Sequence, residues 1–161
     1  TPATPEIQAR LIESCQNNMG QLGIVLKMFA NEAEEERFPA GWATTVPEFL
    51  TDTNVLTCPS VAGEVGSTRS ASYDLLFPTI NEEELVILAE EMGLDTGDIK
   101  ALKHKVPVII ENHPCADGKS RNVVFWDGHP ERIEDARWAE AIAPFVRMGD
   151  TYIGDLLSDA R

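Results

Sequence analysis

The chain has 161 residues, of which 13 are Lys or Arg and 27 are Asp or Glu, for a net charge of -14. That imbalance repels phosphate backbones and excludes non-specific nucleic-acid binding. With 43% apolar and 25% charged residues the composition is that of a folded protein, and the length suits one domain spanning 1–161. No apolar run approaches the ~20 residues that span a bilayer. The three cysteines, Cys15, Cys58 and Cys115, are too few for a disulfide scaffold and contain no CxxC pair. One bridge with one free thiol, or three free thiols, are both compatible with this count.

In chain order, the first predicted element is a helix. Ile7, Leu11, Cys15, Met19, Leu22, Leu26 and Phe29 recur every three or four residues and form one apolar stripe, which Ile12 and Val25 widen. Gly20 and Gly23 each cost about 1 kcal/mol of helix propensity relative to Ala, so close packing must compensate. The helix is expected to end near the acidic run Glu32 to Glu36, with a loop over Arg37 to Gly41 and a helical turn over Pro47 to Leu50. Asn54 to Cys58 is a short strand candidate, 60–72 a loop, and Tyr73 to Phe77 a strand stopped by Pro78.

A second helix is signalled by Asn81 as N-cap, Glu82 to Glu84 at the positive end of the dipole and Gly93 as C-cap. Leu85, Leu88, Ala89 and Met92 give its apolar face. Three strands are expected over Val106 to Glu111, Asn122 to Trp126 and His129 to Ile133. Asp127-Gly128 predicts a two-residue hairpin turn between the last two. If Gly128 holds a positive φ there, Gly128→Val lowers stability by more than about 1 kcal/mol. One helix is expected from Glu134 to Val146, kinked or ended at Pro144, with Asp150 capping a last turn over Tyr152 to Leu157. A long helix, a mixed middle, an antiparallel sheet and C-terminal helices make an α+β chain rather than an alternating βαβ one.

Few residues suggest chemistry. His113, Cys115 and His129 offer donor types for a transition metal but without a familiar ligand spacing. Asp117 and Asp127, with carbonyls of the 112–121 loop, offer hard oxygens for calcium, though no EF-hand pattern is present. A hydrolase would need Cys115 as nucleophile with His113 and Asp117. There is no nucleophile elbow and no Gly-rich phosphate loop.

Several segments together resemble one family. Cys15 to Pro39 (CQNNMGQLGIVLKMFANEAEEERFP) is similar to the stretch after the membrane helix in the prepilin-like proteins, or pseudopilins, of type II secretion and type IV pilus systems. Leu56 to Ser60 (LTCPS) resembles that family's Cys-Pro-Ser element, and Ser72 to Pro78 (SYDLLFP) its Ser-Tyr strand. Val108 to Ile133 resembles the family's C-terminal signature, a His, nine residues and Asp-Gly. Its counterparts here are His113, Asp117, Asn122, Asp127, Gly128 and His129. The gap between His113 and Asp127 is 13 residues, so either the loop is longer than the family's or Asp117 stands where the family has His. Residues 79–105 and 134–161 fall outside the resemblance.

The resemblance implies a pilin-like fold, a long N-terminal helix packed on an antiparallel sheet, and a non-catalytic structural subunit. It implies a deleted upstream anchor in the inner membrane, a head in the periplasm or at the cell surface, and other pilin-like subunits or secretion-system components as partners. It also implies a Cys15–Cys58 disulfide, leaving Cys115 unpaired, and no cofactor. The alternative on the same scaffold is an extracytoplasmic module that binds a small ligand or calcium in the 59–72 or 112–121 loops.

Overall fold

Thr4 opens the first helix by accepting the Ile7 amide on its side chain, at 3.2 Å, and Pro5 occupies the first helical position, where an amide is not needed. The resulting helix, α1 (Pro5–Glu32), runs 28 residues. It belongs to a computed structural model that describes residues 4–45, 48–50, 73–112 and 119–159. Short 3-10 turns follow at Glu34–Glu36 and Trp42–Thr45. Then come β1 (Tyr73–Leu75), α2 (Glu82–Glu91), α3 (Ile99–Lys105), β2 (Pro107–Glu111), β3 (Ser120–Phe125), β4 (Pro130–Glu134), α4 (Asp135–Ala141) and α5 (Ala143–Asp159).

Among the described residues the four strands form one antiparallel sheet in the order β1-β2-β3-β4, so the fold is α+β. Ile110 pairs with both Asp74 and Val123, and Asn122 pairs with Arg132. An irregularity between Pro107 and Ile109 shifts the β2–β3 register. Every residue of β2 is buried. Continuous burial in place of alternation means that both faces of this central strand are covered.

The apolar stripe of α1 lies on β3 and β4. Cys15, Met19, Leu22, Val25 and Leu26 are buried there with Val123, Val124, Phe125 and Ile133 in the same core. Each fully buried side chain of this size contributes about 1.5–3 kcal/mol. Gly23 is the point of closest approach. A Cβ at this position would stand 3.1 Å from both the Gly128 carbonyl oxygen and Val124 Cγ1. The residue that weakens the isolated helix is thus the one that lets it descend onto the hairpin. Ile7, at the start of the expected stripe, is instead 47% exposed.

Other expectations are corrected. The single helix over 134–146 is two helices that break at Ile142, because Pro144 cannot continue a helix but fits the first turn of a new one. Asp150 lies inside α5 rather than capping a last turn. The hairpin loop has three residues, Trp126 to Gly128, closed by Gly128 N–H on the Phe125 carbonyl (2.8 Å) and Phe125 N–H on the His129 carbonyl (3.0 Å). Gly128 has φ +94° while Asp127 is not left-handed, the pattern of a turn followed by a glycine bulge rather than a mirror-image two-residue turn. The strand over His129 to Ile133 therefore begins one residue later, at Pro130. The first 3-10 turn after Gly41 precedes the expected position, and Pro47 lies outside the described residues, as do the strand expected at Asn54 to Cys58 and the 60–72 loop.

No helix among the described residues is long and apolar enough to cross a membrane. Cys15 is fully buried and disulfide-bonded. Its expected partner Cys58 lies outside the described residues, as does Cys115.

Candidate functional site

The best-defined cluster of chemical groups sits where α1, α3 and the β3–β4 hairpin meet. Asp98 starts α3 by accepting the Ala101 amide, and Lys103, His104 and Lys105 fill its last turn, the end that favours cations. That last turn holds the hairpin loop by its backbone. Asp127 N–H donates to the Lys103 carbonyl at 3.0 Å, and Trp126 N–H donates to the Val106 carbonyl at 2.8 Å. From α1, the Lys27 ammonium donates to the Asp127 carbonyl. The Lys103 ammonium lies 5.3 Å from the Trp126 ring centre and 3.2 Å from Glu82.

This backbone scaffold aims three side chains at one another. His104 Nδ1 lies 2.9 Å from Asp127 Oδ2. His129 Nδ1 donates to the other oxygen, Oδ1, which also accepts the His129 amide at 3.1 Å. The rings are stacked: Phe125 on His129 at 4.7 Å and His129 on His104 at 4.4 Å between centres, both pairs nearly parallel. His129 Nε2 stands 3.6 Å from Glu131 Oε2, and Glu131 is within 3.6 Å of the Arg137 guanidinium. Burial pushes the Asp127 carboxyl up. The hydrogen bonds from the His129 ring and amide and from His104 outweigh burial and hold the group below its ordinary value. At neutral pH Asp127 is thus a carboxylate accepting from two imidazoles.

Several sequence-derived site residues meet here. Asp127, Gly128 and His129 form the hairpin loop and its exit. Asn122 is buried on β3, where its amide donates to Glu111 Oε1 at 2.7 Å, away from the loop at the strand's other end. His113, Asp117 and Cys115 lie outside the described residues, and with them two of the transition-metal trio, one of the calcium pair and the whole hydrolase triad. His129 is half-buried between Phe125 and His104. Asp127, offered as a hard calcium ligand, faces imidazole nitrogens on both oxygens, and its carbonyl is taken by Lys27.

His104 is the member that sequence reasoning missed. It lies in a segment outside the family resemblance, 25 positions before His129 (129 − 104), and no short spacing joins them. The available signal was the cap-like Asp98 followed by a basic last turn before a β-rich run. Comparison of the chain with protein-family models, with curated proteins and with solved structures finds no match.

Proposed function

We propose that the chain is a pilin-like, non-catalytic structural subunit of a type II secretion or type IV pilus-like filament. On this reading it is held at the inner membrane through a preceding anchor helix, with its head in the periplasm or at the cell surface. Its partners are other pilin-like subunits, which it meets through α1. The observation that carries the reading is the seat of α1. A 28-residue amphipathic helix rests on an antiparallel hairpin and keeps apolar side chains on its other side. Ile24 and Met28, one helical turn apart, remain 59% and 45% exposed. A helix that belonged only to a head domain would favour polar residues there, whereas one that packs against neighbouring helices keeps them apolar.

The test is photo-crosslinking in cells that assemble the full-length protein. A crosslinking residue at Ile24 or Met28 is expected to give adducts with copies of the chain or with other pilin-like subunits. The same residue at the exposed Lys100 on α3 is expected to give far fewer. Adducts absent from both α1 positions, or equal at all three, overturn the reading.

A further inference from the structure

We propose that His104, Asp127 and His129 form a binding site for a divalent transition-metal ion of the zinc class. One donor atom from each residue lies within 4.8 Å of the other two. Two imidazole nitrogens and one carboxylate oxygen are the donors that zinc, nickel and copper prefer over calcium or magnesium, whose sites are built from oxygen. Both oxygens of Asp127 face imidazole nitrogen, which suits this mixed nitrogen and oxygen donor set.

The supporting groups match what such a site needs. A metal-bound histidine usually donates its second N–H to a carboxylate, which fixes ring and tautomer. His129 has that arrangement: Nδ1 points to the cluster while Nε2 stands 3.6 Å from Glu131, itself near Arg137. The His129 ring is clamped by Phe125 behind it, and Asp127 is pinned through its amide and carbonyl to α3 and α1. Two ligands are therefore preplaced on a rigid loop. The third, His104, has a side chain that is 71% exposed, free to swing by the small amount that coordination distances of about 2.0–2.2 Å require. Coordination replaces the two Nδ1–H hydrogen bonds to Asp127 with Nδ1–metal bonds; in a neutral ring the Nδ1 proton passes through solvent to Nε2, and a protonated ring releases its Nδ1 proton to water and keeps the one on Nε2. Three protein donors leave a tetrahedral position for water. The ion ties the end of α3 to the hairpin beneath α1.

The site stands apart from the pilin-like reading, and its test is made on the isolated chain without an affinity tag. Zinc, and cobalt as a spectroscopic probe, are titrated by calorimetry and visible absorption. One ion is expected per chain, with a d–d spectrum of nitrogen and oxygen donors without thiolate, and zinc is expected to raise the melting temperature. His104→Ala is expected to weaken binding by about tenfold or more, with its metal-free melting temperature measured alongside to separate folding from binding. His113→Ala is expected to leave binding unchanged. No saturable zinc binding, or loss in His113→Ala with retention in His104→Ala, overturns the assignment.

Discussion

Gly128 shows how one residue can carry a junction. Its φ of +94° lies in the left-handed region, and a Cβ there would stand 2.8 Å from Lys27 Cε and Nζ. The Lys27 side chain is flexible and can move, so backbone strain dominates the cost. Gly128→Val is expected to destabilise the fold by about 1–3 kcal/mol, read by urea denaturation, with Gly128→Asn costing less because Asn tolerates this region. Tyr152 offers a pH test. Its hydroxyl donates to the Pro78 carbonyl at 2.9 Å. Burial lifts its pKa, with the Thr79 hydroxyl lowering it, Glu84 raising it and Arg37 lowering it. The folded state then holds the phenolic proton more tightly than the unfolded chain, whose value is about 10. The contribution is complete below that value and is lost as pH rises through the higher folded one. Tyr152→Phe is expected to lose about 1 kcal/mol at neutral pH through the missing hydrogen bond. It is also expected to show a shallower fall in stability than the parent chain above about pH 10. Equal slopes in the two proteins would contradict this.

Between residue and molecule, caps and breaks decide where elements start and stop. Asn81 accepts the Glu84 amide at 2.9 Å, and Gly93 follows α2 with φ +82°, so both ends of that helix were legible from local chemistry. So was α1, because a stripe repeated over about six turns is a stronger signal than any single propensity. The break between α4 and α5 was legible only as a Pro. Whether a Pro kinks a helix or starts another depends on what the flanking segments pack against, and Ile142 and Phe145 are buried at that corner. The buried disulfide at Cys15 adds a covalent tie to α1. Reduction is expected to cost about 2–5 kcal/mol, measured as the shift in denaturation midpoint with and without reductant. Peptide mapping of the unreduced protein is expected to join Cys15 to Cys58, and a Cys15–Cys115 peptide would refute that pairing.

Across the whole molecule the net charge of -14 opposes self-association. Charges on neighbouring copies repel over a Debye length, about 8 Å at physiological salt and longer below it. On the proposed filament reading, the exposed apolar side chains of α1 would have to overcome that repulsion. Association of copies, followed by sedimentation velocity, is therefore expected to strengthen as salt is raised from low to physiological concentration. Association that weakens with salt would mean that attraction between opposite charges drives it instead.

Composition, helix stripe, hairpin dipeptide and the main strands were readable in the linear chain, since each depends on neighbours a few positions away. The net charge weighs against non-specific nucleic-acid binding. Folding decided the rest: that α1 descends at Gly23 onto the hairpin it had to be paired with, and that β2 is covered on both faces. It also brought His104 from a segment without a motif to Asp127 and His129. These are contacts between residues far apart along the chain. No local periodicity encodes them, because they arise only when buried surfaces choose which elements lie side by side.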